Sequence, residues 1–351
     1  MLLDAELRHR RRELSTAIYR TTIQCLERWQ HEAGQRLIDF QAAFLMSWMA
    51  ADFFDYDLSW NFFRQACTIG RHLGIFTVDS DNVPVNCGDI STDCTLTQTQ
   101  KRFAFWQLLQ TDCLFRQLFG KTAVIPFGTW QVRFPELSAS GVESQSSIQV
   151  HFIISMRFAF VTLRFLELLD TQGYILEDQV TELILELKSV VTDWDLERSY
   201  TAAAEPTDAW LYADLLISSQ LLIISFQQSI KTSDPSQQIP ESCLDAARQS
   251  IRILEHSSKL SIGDPYNTIS LVSSYPVIHV FILFLNILTD PGSVTAEGDL
   301  YLTNCFGLML RKWSEKRDQV GAHLAFVVNV LNEICRRVVY AKALPPAQCY
   351  T

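Results

Sequence analysis

Apolar residues recur along this chain at intervals of three and four, the spacing that gathers them on one face of an α-helix; the two-residue alternation of a half-buried strand is nearly absent. The pattern predicts helices over 4–31, 36–56, 59–74, 100–119, 148–170, 176–195, 207–230, 240–258, 268–289, 296–316 and 319–342. Polar, turn-rich connections fall at Thr77–Gln98, Phe134–Ser147, Thr232–Pro240 and Asp290–Ser293. The first of these, with Asp79, Asp81, Asn82, Pro84, Gly88 and Asp93, has the composition of a disordered or insertion-tolerant loop. The expected fold is all-α, a large multi-helix bundle or array of about ten to twelve helices built as one core or as two fused halves, without an internal repeat. One short segment departs from helix: Gly120 stops the helix before it, and Pro126 and Pro135 keep the segment after it extended.

Three stretches carry a pattern beyond periodicity. From 101 to 135 the chain sets Lys101-Arg102 ahead of Phe105-Trp106, then Asp112 eight residues before Gly120, followed by Lys121, Ile125 and Phe134-Pro135. From Trp60 to Ile75 it sets Ala66 and Gly70 ahead of Leu73-Gly74-Ile75. From Tyr275 to Leu302 an apolar helix ends at Asp290-Pro291, and Ala296, Asp299 and Leu300 follow. In this order the stretches resemble the fungal-specific transcription factor domain, the regulatory middle region of zinc-cluster (Zn2Cys6) transcription factors. Lys121 stands where that pattern has Arg, Thr122 where it has Pro, and Gln98 or Gln100 where an acid is usual.

The resemblance covers about residues 35–345, which leaves 1–34 as a helical lead-in and 346–351 as a tail. It implies a nuclear role in RNA polymerase II transcription, controlling a metabolic or secondary-metabolite gene set. The implied partners are the transcription machinery, homodimers or heterodimers with zinc-cluster regulators, and a small-molecule effector. An effector pocket would fall among apolar helices lined by Trp48, Phe54, Trp106, Trp130 and Phe134. The other residues shared with the family (Leu73, Gly74, Arg102, Asp112, Gly120, Lys121, Ile125, Pro135, Pro291, Asp299) are expected to be structural.

Charge and cysteine usage limit that picture. The net charge is −10, so this chain is not expected to grip DNA by itself, because phosphate affinity needs clustered Lys and Arg. Nine cysteines stand singly, none two residues from another, which leaves no short-spaced zinc cluster; no cofactor is expected, and zinc enters only with a module outside this chain. DNA would then be reached indirectly or through such a module. An odd cysteine count and the absence of a signal-peptide pattern fit a reducing intracellular setting. The longest apolar run, Val277–Leu288, is too short to span a bilayer, and no membrane association is expected.

Candidate chemistry is sparse, and no enzymatic activity is expected. Gly120-Lys121-Thr122 lacks both the earlier glycine and the strand-to-helix context of a phosphate loop. Asp112, alone on an apolar helix, is expected to pair with Arg71, Arg116 or Arg102 in a salt bridge. Asp52, Asp55 and Asp57 invite comparison with the magnesium-binding motif of all-α terpene cyclases, but the second metal motif is missing and a solvated helix end is preferred. His72 and His279 lie in apolar stretches and are read as core or pocket residues. Arg8-His9-Arg10-Arg11-Arg12 is a solvated basic run or a nuclear-import patch. The apolar stripe of 319–342 serves the core or a partner helix, the latter making the chain an interaction module or corepressor.

Overall fold

The computed structural model describes residues 2–53, 55–80, 96–135, 146–230, 239–260, 277–314 and 319–343. Among them are twelve helices and no strand: α1 (Leu2–Glu32), α2 (Leu37–Asp52), α3 (Tyr56–His72), α4 (Gln98–Phe119), α5 (Ser147–Gln172), α6 (Glu177–Asp193), α7 (Leu196–Ala202), α8 (Pro206–Gln228), α9 (Glu241–Leu260), α10 (Ile278–Thr289), α11 (Ala296–Ser314) and α12 (Gln319–Ala343). The all-α expectation therefore holds. The helices fall into two compact units, Met1–Gln149 and Val150–Thr351.

In the first unit, α2 and α3 form a tight antiparallel pair. The chain breaks between them, where an unbroken helix over 36–56 was expected, because the Asp55 carboxylate caps α3 by accepting the Leu58 amide at 3.2 Å. Small residues at the contact, Ala43, Ala50 and Ala66, are fully buried, and the Ser59 hydroxyl donates to the Ser47 carbonyl at 2.7 Å across the pair. α4 opens with a capping box: Thr97 Oγ1 accepts the Gln100 amide, and Gln100 Oε1 accepts the Thr97 amide at 2.9 Å. Phe63, Phe105, Leu108 and Leu109 fill the core with no exposed surface, each worth about 1.5–3 kcal/mol of burial.

In the second unit, α8 packs on α6, α7 and α9, while α9 also meets α10 and α11, and α11 pairs with α12. Pro206 occupies the first turn of α8, where its missing N–H is harmless. α8 is the one described helix long and apolar enough to cross a bilayer, and 67% of that window is buried against the unit's own core. The short α7 was not expected from periodicity; Asp195, at φ 45°, turns the chain between α6 and α7. The helix expected over 268–289 is described from Ile278, and its earlier part lies outside the described residues.

Candidate functional site

The family-like residues of the first unit converge behind α4. The helix ends at Gly120, whose φ of 59° and ψ of 27° form the left-handed cap that glycine adopts without strain. The chain then folds back along α4, and Asp112, fully buried, accepts the Val124 amide at 2.9 Å and the Ile125 amide at 3.4 Å. The expected salt bridge of Asp112 with Arg71, Arg116 or Arg102 is therefore corrected: its hydrogen-bond partners are backbone N–H groups. The returning loop brings those amides to the carboxylate, whereas Arg71 donates to the Val124 carbonyl and Arg102 turns to Asp79. Burial raises the Asp112 pKa, opposed by the two amides and by the more distant Arg116 and Arg71. Ile125 is buried beside it, and Pro135 is buried further along the same segment.

A second clamp lies upstream. Asp79 forms a half-buried, bidentate ion pair with Arg102, with Nε at 3.0 Å, and accepts the Arg133 amide at 2.7 Å. The backbone follows, since the Gln131 amide donates to the Phe76 carbonyl at 2.9 Å and the Asp79 amide to the Gln131 carbonyl at 3.1 Å. Asp79 was expected in a disordered or insertion-tolerant loop; its side chain and amide are bonded into this clamp, while 81–95 lie outside the described residues. The guanidinium of Arg102 holds the Asp79 carboxyl below its ordinary value.

Of the expected pocket residues, Trp106, Trp130 and Phe134 come together: ring centroids lie 5.6 Å apart for both Trp106–Trp130 and Trp106–Phe134. Trp106 also donates its indole N–H to the Arg133 carbonyl at 3.0 Å. The Trp130 indole nitrogen is buried and has no hydrogen-bond partner among the described residues. Trp48 is on α2, 37% exposed, and takes no part in these ring contacts; Phe54 lies outside the described residues. Lys121 pairs with Asp57 at 2.6 Å, and Leu73-Gly74 forms the turn that ends α3, with Gly74 at φ 66°. Asp55 is committed to its cap and to the Tyr19 hydroxyl at 3.3 Å. Asp55 and Asp57 thus hold backbone, a tyrosine and a lysine, and the Asp52 side chain lies outside the described residues.

In the second unit Asp299, 1% exposed, takes Arg248 in a fork, with Nε to Oδ1 at 2.7 Å and Nη2 to Oδ2 at 3.1 Å. Asn286 adds a third bond at 3.0 Å, and the buried Pro291 follows the end of α10, so α9, α10 and α11 are tied at one point. Arg248 also reaches the exposed Glu241 and Asp245. The sequence did not single out Arg248, although a charge one turn after Leu244 and three residues before Ile251 lies on the apolar face of α9.

The remaining expected groups are unreactive or outward-facing. Cys67, Cys113 and Cys335 pack in the core as small hydrophobes, with burial pushing their thiols up, to about 11 for Cys335. His279 is buried and its pKa is lowered to about 4 by desolvation, as a core residue would be. His72 instead faces solvent at the end of α3, correcting its core assignment, because the apolar neighbours in sequence lie on the opposite side of the last turn. The side chains of the Arg8–Arg12 run lie outside the described residues.

Grooves open in both units. One, of about 390 Å³, lies between α3 and residues 122–124; another, of about 280 Å³, is lined from α6 to α9 by Lys188, Glu197, Gln220 and Asp245, among others. Comparison with family models, with curated proteins and with solved structures returns no match to this chain.

Proposed function

We propose that this chain is the regulatory domain of a fungal RNA polymerase II transcription regulator, acting on a metabolic or secondary-metabolite gene set, with no zinc cluster in this sequence, so that DNA is reached through a partner or a separate module. One observation carries the reading: the residues that bear the resemblance are spent on fastening the fold. Asp112 holds two amides, Gly120 turns the chain, Trp106 and Arg102 fasten the returning segment, and Asp299 fastens three helices. A signature without a reactive group suits a domain that acts by binding rather than by turnover.

The test is a tethered reporter. The chain, fused to a heterologous DNA-binding domain in a fungal host, should accumulate in the nucleus and change expression of a reporter bearing the matching operator severalfold. Nuclear fusion protein that leaves the reporter unmoved would overturn the reading.

A second reading, an interaction module or corepressor that pairs with zinc-cluster regulators, is favoured by the outer face of α12. Phe326, Val327, Val330 and Ile334 are 67%, 43%, 42% and 42% exposed there, on the side away from the buried Val328, Cys335 and Val339. Co-purification with a zinc-cluster regulator, lost on Phe326→Glu, supports this role; retention in the variant counts against it.

A further inference from the structure

Trp60, Arg64, Thr68 and Arg71 succeed one another on α3 at intervals of four, four and three, so they form one stripe along the helix. That stripe is one wall of the 390 Å³ groove, and residues 122–124 form the other. The volume lies within the range of small-ligand sites, roughly 300–1,000 Å³.

The lining is cationic and has no acid of its own. The guanidinium of Arg64 has no ion pair or hydrogen bond among the described residues. Arg71 is held in place: it donates one N–H to the Val124 carbonyl and lies 4.9 Å over the Phe76 ring, which leaves further donors of its fork for a ligand. Lys121, on the adjoining loop, is neutralised by Asp57 and does not compete for an anion. Thr122 contributes a hydroxyl. Trp60 is held by Phe63 and Phe115, with centroids 5.7 and 5.3 Å away, so its exposed part is a fixed apolar surface at one end of the stripe.

We propose that this groove binds a small organic anion, with its carboxylate or phosphate on Arg64 and Arg71 and an apolar, planar body against Trp60. A planar fork of donors matches both oxyanions, and the two guanidiniums stand exposed on the open groove where an anion can reach them. Phosphate-loop chemistry is not involved: the donors are arginine side chains along α3 and not the backbone amides of a glycine-rich turn. The groove would give the regulatory reading its effector site, but it rests on its own geometry and stands if the reporter stays silent.

The full chain is titrated by calorimetry at low ionic strength with inorganic phosphate, phenyl phosphate and benzoate. One aryl anion should bind saturably, one per chain, more tightly than inorganic phosphate, and preference for phenyl phosphate or benzoate identifies the oxyanion. Arg64→Ala should weaken that binding at least about tenfold, the loss of one charge-assisted bond, while Arg64→Lys weakens it less. Arg252→Ala, an exposed arginine on α9, should leave it unchanged. Trp60→Phe should remove the accompanying fluorescence change. Wild-type protein that binds none of the three probes up to about 20 mM overturns the proposal, that limit lying weaker than the millimolar affinities of simple sites. Equal binding by Arg64→Ala, or equal loss in Arg252→Ala, overturns it as well.

Discussion

Replacing Asp299 by leucine strips three bonds at once from the point where α9, α10 and α11 meet. Arg248 loses both arms of its fork, at 2.7 and 3.1 Å, and the Asn286 amide loses its acceptor. At about 1.5–3 kcal/mol for each bond to a charged acceptor, the upper bound is about 5–9 kcal/mol. Glu241 and Asp245 remain to share the stranded guanidinium, so the expected destabilisation is the smaller figure of a broken buried pair, about 3–5 kcal/mol. Arg248→Met should cost a similar amount. The double variant should cost only about 1–2 kcal/mol, because two apolar side chains no longer bury a charge and Asn286 alone lacks a partner. Urea unfolding followed by circular dichroism, read as a double-mutant cycle, measures the coupling. Single variants that each lose less than about 1 kcal/mol, or a double variant equal to the sum of the singles, would rule out a buried pair acting as one unit.

Gly120→Ala should destabilise by about 1–2 kcal/mol through backbone strain alone, since an added Cβ meets nothing within 4 Å, and thermal melting of the variant checks it. His279 is held neutral by burial, with its pKa lowered to about 4 from 6.5; its contribution is complete above about pH 6.5 and is lost as acid charges the unfolded chain first. Stability of the wild type relative to His279→Leu should therefore fall on the order of 3 kcal/mol between pH 6.5 and 4, as read by urea midpoints. Asp79 has the opposite chemistry but the same direction: Arg102 lowers its pKa, so its stabilisation is present above the ordinary carboxyl value near about 3.9 and fades as pH drops through the native value. Asp79→Asn should flatten that acid limb of the stability curve; a limb of unchanged slope contradicts the clamp.

Helical spacing exposed nearly every long helix, because an amphipathic face is written locally in threes and fours. The Thr97–Gln100 cap was missed and the helix begun at 100, two residues late, although both partners of the box lie within one turn. The carboxylate of Asp112 could be placed in the core but not given its partners, since Val124 and Ile125 reach it only after the chain reverses at Gly120 and periodicity says nothing about a return path. Asp79 shared the composition of a loop, and its role depends on Arg102 and Arg133, far along the chain. The stripe from Trp60 to Arg71 was readable as a helix face but not as a groove, because its second wall is the segment after Gly120.

Whether the signature residues are a packing device is decided by amide hydrogen exchange at Val124 and Ile125 in the full chain, before and after Asp112→Ala. Two bonds to a buried carboxylate, at about 1.5–3 kcal/mol each, predict that protection at these amides falls by at least about a hundredfold, with Asp112→Asn in between. Unchanged exchange in Asp112→Ala would show that the carboxylate does not hold this backbone, and the packing role would fall with it.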